Sequence, residues 1–554
     1  MRGRQVFMQS LVLNGADRIF GNPGTTENPL LESLLEFNQV KYITALHESV
    51  AVCAAGLYAQ SSGRTAVANV HVAPGLGNAI GMMYGCLKSQ VPVIVTAGQQ
   101  DTRMRLREPL LRHDLVAMAA PVVKWAAEPQ SADEIGPLMR QAFQIANAHP
   151  KGPVFVALPN NVMEQETEVT ATSATQSSLT VADSHALDEI AQRIQNAQRI
   201  AVCPGDHVAS YGATAALERL LTLTGAEVWL DFITARRSVS SRHLQYAGNF
   251  SADAAANQKK LAPYDLIIAT GGVTLEEIWY EPTSPIPNHS DFVQIEVNEA
   301  SLGKPHVPSL ALTGDLEKTY DAISDRLERC SDAVFLERRF ASLARQEESQ
   351  SARWRATQER TEALEGRSPL APIEALQVLA GALPQDIVIV DEAITASSDV
   401  DTAFEITDPN RFFGSRGGGI GQGIAGALGV AEAKPDEMII AISGDGSAMY
   451  SIQSLWTAVH HDMRILFVIL ANAEYRVLKH NLDIHRARFD APSDQNYPHM
   501  DLGNPTLGFA AMAQGMGVQA CQATTTEEIQ IGCKTFTNGS GPYLLEIKVA
   551  GMSD

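Results

Sequence analysis

Short apolar runs alternate with longer amphipathic stretches along nearly the whole chain. From Gln5 to about Pro159 the runs RIFGN, YITAL, TAVANVHV, VPVIVTAG and GPVFVALP predict strands, each separated from the next by helical periodicity. Apolar strands in alternation with helices imply a parallel sheet covered on its faces. The stretch TEVTATSATQSSLTVADS, rich in Thr and Ser, then predicts a crossing linker. A second unit follows with strands expected at RIAVCPG, AEVWLDF, DLIIATGG and DFVQIEV. The charged stretch 326–367 predicts solvated helix, leading through SPLAP to a third unit with strands at IVIVDEA, RFFGS, MIIAIS, RILFVIL and YLLEIKV. The pattern therefore predicts an α/β protein of three doubly wound parallel-sheet domains, at 1–165, 185–325 and 370–554.

Length agrees with this division, because 554 residues exceed what one core of roughly 100 to 200 residues accommodates. In the middle unit the glycine turns CPGDHVASYGA and ATGGVTLEE lack the spacing GxGxxG, so no flavin or nicotinamide is expected. The 63 acidic and 42 basic residues give a net charge of -21, which argues against nucleic acid or an anionic membrane as partner. A small anionic ligand stays possible, since a bound metal and local dipoles outweigh a distant field. Six dispersed cysteines without a CxxC pair suit buried thiols in a reducing compartment. The N-terminus has no signal-peptide pattern, and no stretch approaches about 18 apolar residues, so a cytoplasmic protein is expected.

Two segments carry candidate chemistry. MIIAIS runs into Gly444, Asp445 and Gly446, expected to form a tight turn; SIQSLWTAVHH then predicts a helix before the strand RILFVILAN. This βαβ unit delivers Asp445 and Asn472, 27 residues apart, at carboxyl ends of strands, where α/β sheets bind ligands. A carboxylate, the Asn472 amide oxygen and a main-chain carbonyl near Glu474 suit magnesium, and the glycines admit a diphosphate. GDG by itself is also an ordinary turn, and Asn472 by itself a strand-end cap.

In the other segment, HESVAVCAAGLYAQSSG predicts a helix of small residues with Glu48 buried near its start. A buried carboxylate without a partner is costly, and such a group can share a proton with a heterocyclic nitrogen; the alternative is a helix-start glutamate stabilised by the macrodipole. TAVANVHV ends at His71 and RIF leads to Thr25 and Thr26 in GNPGTTE, so both loops should rim the crevice near Glu48.

Together these segments resemble the thiamine-diphosphate-dependent 2-oxo acid decarboxylase and carboligase family, most closely its benzoylformate decarboxylase branch. GNPGTTENP, ALHESVAV, NVHVAPGLGNAIG, VIVTAGQQD, VVKWAAEP, GSRGGGIGQGIAGALGV, GDGSAMYSIQSLWTA and FVILANAEY carry the resemblance, in order, over most of the chain. It implies a pyrimidine-binding, a central and a diphosphate-binding domain, thiamine diphosphate and Mg2+ as cofactors, and a homodimer or homotetramer with sites between subunits. It also implies nonoxidative decarboxylation of a 2-oxo acid through an enamine intermediate, with carboligase capability toward an aldehyde acceptor. Carried over, Glu48 would meet the pyrimidine nitrogen, the Gly418 carbonyl would receive the aminopyrimidine, and Ile420 would be the wedge that bends the cofactor. Thr395, Gly444, Asp445, Gly446, Ser447, Asn472 and Tyr475 would complete cofactor binding, with Asp445, Asn472 and Glu474 at the metal. Thr25 would contact the substrate carboxylate and His71 would relay protons.

The sequence departs from that branch in three places. Ile278, Trp279 and Tyr280 stand where the benzoylformate enzymes carry a pocket histidine. His47 is similar to the acetolactate synthase branch, and the paired asparagines after the metal strand are Ala471 and Asn472. Finally, YRVLKHNLDIHRARF differs strongly, and would line the pocket through Val477, Leu478 and Asn481; His480 or His485 could replace the missing acid-base group, or lie on a solvated face. Two further readings therefore stand beside the first: an acetolactate-synthase-like carboligase forming hydroxyketones or acetohydroxy acids, and a cofactor-binding protein without turnover.

Overall fold

The computed structural model describes residues 1–175, 178–304, 306–330, 332–414, 416–491 and 497–552; Gln176 and Ser177 of the expected linker and Ser415 of the glycine-rich segment lie outside them. The first sheet comprises β1 (Arg18–Gly21), β2 (Lys41–Thr44), β3 (Ala66–Val70), β4 (Val93–Gln99), β5 (Ala126–Ala127) and β6 (Val154–Pro159), in the order β2-β1-β3-β4-β6-β5. The second has β7 (Ile200–Pro204), β8 (Glu227–Leu230), β9 (Tyr246–Asn249), β10 (Leu266–Thr270), β11 (Asp291–Glu296) and β12 (Leu310–Thr313), ordered β12-β11-β10-β7-β8-β9. The third has β13 (Val388–Glu392), β14 (Phe412–Phe413), β15 (Ile439–Gly444), β16 (Ile465–Ala471), β17 (Gln519–Ala523) and β18 (Tyr543–Lys548), ordered β14-β13-β15-β16-β18-β17. Every pairing described among them is parallel.

Every expected strand forms. The pattern missed β5, β9, β12 and β17, all edge strands. Their residues are largely half-buried or exposed, so they lack the continuous apolar run that marks a central strand. In β16, by contrast, all seven residues are buried, and each large aliphatic side chain so placed contributes roughly 1.5–3 kcal/mol.

Contacts group the chain into two compact bodies, one of residues 1–176, 364–404 and 413–554, the other of 177–363 and 405–412. Within the first body the Glu48–Ser62 helix lies against the Gln422–Ala433 helix. The approach requires glycine: a Cβ on Gly426 would stand 2.2 Å from Leu57, and one on Gly429 1.9 Å from the Ala54 carbonyl. Buried small residues thus join the element that starts at Glu48 to the one that follows the GGGIG loop.

Each strand order has a place where the chain turns from one side of the sheet to the other, and the loops leaving the two neighbouring strands diverge there and open a crevice. In the first sheet that place lies between β1 and β3, in the third between β13 and β15. The corresponding place in the second sheet is filled by the chain itself. A Cβ on Gly205 would meet the Gly271 carbonyl at 2.7 Å, the His207 ring lies over Gly272, and both Glu296 carboxylate oxygens accept from the Gly272 N–H at 3.1 Å.

Candidate functional site

At the third sheet's reversal, a cleft of about 510 Å³ open to solvent is lined by Thr395, Gly444, Asp445, Gly446, Ser447, Asn472, Glu474, Tyr475 and Val477, among others. Asp445 and Asn472 follow neighbouring strands, with Gly444 in register with Leu470. The expected tight turn at GDG is instead the first turn of a short helix, Asp445–Ala448. The aspartate is held on both sides: Oδ1 accepts from the Gly446 N–H at 2.8 Å and Oδ2 from the Ala473 N–H at 2.7 Å. Each carboxylate oxygen keeps acceptor capacity for a cation. Burial lifts the Asp445 carboxyl above its ordinary value, with the N–H groups of Ala473 and Gly446 and the Lys548 charge pulling the other way. Ile394 (φ +53), in the cleft lining, and Ala473 (φ +57), between Asn472 and Glu474, hold the left-handed backbone that non-glycine residues adopt only when their surroundings impose it.

This donor set fits magnesium and a diphosphate. Among the described residues no group of three His, Cys, Asp or Glu side chains is placed to hold a metal. One carboxylate, one amide oxygen and one main-chain carbonyl are what a magnesium ion that also binds phosphate oxygens and water requires. The Glu474 carboxylate is already paired with a cation: Oε2 accepts from the Lys479 ammonium, and Oε1 accepts from the Met552 N–H at 2.6 Å. A Cβ on Gly444 would meet nothing within 4 Å, leaving open space, whereas one on Gly446 would strike the Tyr475 ring at 2.6 Å.

The GGGIG loop lies beside the Val72–Lys88 helix: a Cβ on Gly417 would come 3.2 Å from Gly85, while Gly418 (φ +67) has open space around it. Ile420 is half-buried. The sequence reading missed what holds this loop. Glu392, at the end of β13, accepts from the N–H groups of Gly421 (2.7 Å), Gln422 (3.0 Å) and Gly423 (2.8 Å). Burial pushes its carboxyl up to about 7 despite those three bonds. The acidic pair Asp391 and Glu392 closing an apolar strand was the available signal.

Glu48 is buried and is the first residue of its helix, capped by His47, whose Nδ1 accepts from the Ser49 N–H at 3.2 Å. The Asn78 amide donates to Glu48 Oε2 at 3.0 Å, and a Cβ on Gly75 would lie 2.7 Å from Oε1. Asn78 also escaped the sequence reading, because GLGNAIG shows only a small-residue helix. A buried carboxylate with one side-chain donor retains capacity for a second nitrogen donor.

At the first sheet's reversal His71 meets a buried partner the pattern did not single out. Glu27 Oε2 lies 2.8 Å from His71 Nδ1 and also accepts from the Gly24 N–H at 2.8 Å; Oε1 accepts from the Gly98 N–H at 2.8 Å. This carboxylate assigns the proton to Nδ1 and leaves Nε2 unengaged by it. The ring lies against Gly24, where a Cβ would come 2.1 Å from Nδ1. Thr25 is exposed beside it, and Thr26 is buried.

The expected site residues thus fall into separate groups. Glu48, His71, Thr25, Gly418 and Ile420 do not line the cleft at Asp445. Leu478 and Asn481 lie outside its lining too, and His480 and His485 are exposed. Ile278 and Tyr280 are exposed, in a stretch without helix or strand.

One contact bears on pH. The Thr44 N–H, just ahead of the segment leading to Glu48, donates to His461 Nε2 at 2.9 Å, which requires a neutral ring. Burial first, then the His460 and Lys41 charges, depresses His461 to about 4. The unfolded chain takes that proton near pH 6.5, so stability is present above about pH 6.5 and declines as pH falls toward 4. Because the ring is half-exposed, the expected loss is discounted to about 1 kcal/mol. Urea unfolding at pH 7 and pH 4.5 should show this extra decline in wild type and lack it in His461→Gln.

Comparison with known proteins matches most of the chain to one set of domains. Residues 1–118 match the thiamine pyrophosphate enzyme N-terminal TPP binding domain, 187–323 its central domain and 395–547 its C-terminal TPP binding domain. Benzoylformate decarboxylase of Pseudomonas aeruginosa is 29% identical over 538 residues, 96% of each chain. Acetolactate synthase isozyme 2 large subunit of Escherichia coli is 24% identical over 553 residues, 99% of this chain and 96% of that one. The solved structure of the Rhodococcus jostii RHA1 thiamine diphosphate-dependent 4-hydroxybenzoylformate decarboxylase covers 100% of both chains with a TM-score of 0.86 at 22% identity, a likeness of fold.

Proposed function

The chain belongs to the thiamine pyrophosphate enzyme family, and on that premise we propose that it decarboxylates a 2-oxo acid without oxidation and can pass the product fragment to an aldehyde acceptor. When bound, thiamine diphosphate supplies a nucleophilic thiazolium carbon and an electron sink. Asp445, Asn472 and the Glu474 carbonyl hold Mg2+ against its diphosphate, with Thr395, Gly444, Gly446, Ser447 and Tyr475 around the phosphates. Glu48 exchanges a proton with the pyrimidine nitrogen, and Asn78 keeps the carboxylate in place for it. Gly418 would offer its carbonyl to the aminopyrimidine and Ile420 its aliphatic side chain to the cofactor, while Glu392 holds their loop through the three N–H groups that follow.

The observation that carries the reading is His71 held by buried Glu27. A histidine whose Nδ1–H is held by Glu27 presents Nε2 as the atom that takes up a proton and then passes it on, which a decarboxylase needs to release an aldehyde. Thr25 offers its hydroxyl to the substrate carboxylate, while Val477, Leu478 and Asn481 shape the pocket and keep water out. The resemblance to the family supports a site completed by two copies of the chain, in a homodimer or homotetramer.

A second reading is supported by His47 and by the Escherichia coli relative: an acetolactate-synthase-like carboligase. A panel of aromatic and aliphatic 2-oxo acids with thiamine diphosphate and Mg2+ separates the two. Aldehyde as main product is expected; hydroxyketone or acetohydroxy acid supports the carboligase. Cofactor uptake without carbon dioxide release from any acid would leave a binding protein without turnover.

A further inference from the structure

Lys479 sits in the second turn of the Arg476–Arg488 helix, a polar helix whose neighbouring residues Leu478 and His480 are exposed, yet it is only 5% exposed itself. Burying an ammonium is costly unless it is paired. Its Nζ donates to Glu474 Oε2 and, at 2.7 Å, to Asp501 Oδ1, and it lies 5.5 Å from the centre of the Tyr497 ring. Glu474 and Asp501 are directly opposite one another in an isolated antiparallel bridge. That bridge is flanked by Tyr475 N–H to Met500 carbonyl at 2.8 Å and Leu502 N–H to Ala473 carbonyl at 2.7 Å. Like charges directly opposite across a bridge repel. The ammonium between them turns that repulsion into attraction.

The segment so held is the one that carries the metal donors. Ala473 within it is in the left-handed region, at a cost of roughly 1–2 kcal/mol, so the loop keeps its shape only while its neighbours impose it. Asn472 Oδ1 accepts from the Glu474 N–H at 3.1 Å, which ties the amide that would ligate the metal to the same peptide. We propose that Lys479 is a positioning residue for the metal site: by neutralising Glu474 and Asp501 it locks the Asn472–Tyr475 loop with the Glu474 carboxylate turned away and the main-chain carbonyl left for the cation. This rests on the reading of the cleft as a magnesium and diphosphate site.

The test is equilibrium dialysis of thiamine diphosphate against the full chain over a range of Mg2+ concentrations, a readout independent of turnover. Lys479→Met should raise the Mg2+ concentration for half-saturation about tenfold to a hundredfold, the usual range for losing a partner that orients a ligand. Lys479→Arg should recover most of the loss. Adding Glu474→Gln to Lys479→Met should also recover much of it, because the glutamine still accepts from Met552 while the repulsion is gone; a defect of packing alone would not be rescued this way. An unchanged or lower Mg2+ requirement in Lys479→Met, or failure of both rescues in folded protein, overturns the proposal. If Lys479→Met does not fold, the comparison of Glu474→Gln/Lys479→Met with wild type decides: it should bind within a few fold of wild type, and a deficit like that of the folded Asp445→Ala variant overturns the clamp. Asp445→Ala distinguishes the two layers: normal Mg2+ dependence there removes the magnesium reading itself, whereas its loss there with a wild-type response in Lys479→Met removes only the clamp.

Discussion

Glu48→Gln should slow exchange of the cofactor's thiazolium proton with solvent deuterium by about 10²- to 10⁴-fold, the range for removing a positioned acid-base group. The amide can still accept from Asn78 as the carboxylate does through Oε2, so the side chain keeps its place and only proton exchange with the pyrimidine nitrogen is lost. The helix loses an acidic first residue, worth a few tenths of a kcal/mol to about 1 kcal/mol through the macrodipole, too little to unfold a chain with a core this extensive. Quench-flow exchange measured by proton NMR on cofactor-loaded protein would read the effect. Equal rates in wild type and variant would take Glu48 out of the activation step and leave it a buried helix-start residue.

The second large effect is at the opposite end of the cofactor. Asp445→Ala should weaken thiamine diphosphate binding in the presence of Mg2+ by about a hundredfold or more, on the order of 3 kcal/mol. The same change strands the Gly446 and Ala473 N–H groups, at roughly 1–2 kcal/mol of stability, which leaves the fold intact while removing the anionic ligand. Asp445→Asn separates the contributions, since it restores one acceptor without the charge. Calorimetric titration with and without Mg2+ should show the two variants alike in losing the metal dependence; an unaltered dependence in either contradicts the assignment.

The two groups most legible in the sequence were those that chain direction alone could place. Asp445 and Asn472 close adjacent strands of one βαβ unit, so their spacing foretold their meeting in a single cleft. Central strands such as β15 and β16 announced themselves as apolar runs, whereas β5, β9, β12 and β17 did not, because an edge strand exposes part of its surface.

What the sequence concealed were the residues that act across distance. Glu27 reaches His71 from 44 positions away, Asn78 reaches Glu48 from 30, and Glu392 holds a glycine loop 29 positions further on. None of these pairs has a local pattern. Lys479 is the sharpest instance: in YRVLKHNLDIHRARF the histidines could be read as acid-base groups or as a solvated face, and folding exposes His480 and His485 as the second reading expects, but nothing marked the lysine that it buries between the Asn472–Tyr475 loop and Asp501. Which face of a polar helix is covered depends on a segment more than twenty residues downstream.

The account depends on a buried carboxylate and a metal-binding cleft serving one cofactor. Titration of the purified chain with thiamine diphosphate in saturating Mg2+ tests it most directly: saturable uptake approaching one molecule per chain, lost when Mg2+ is chelated, is the predicted result, and no uptake in Mg2+-replete protein would contradict it.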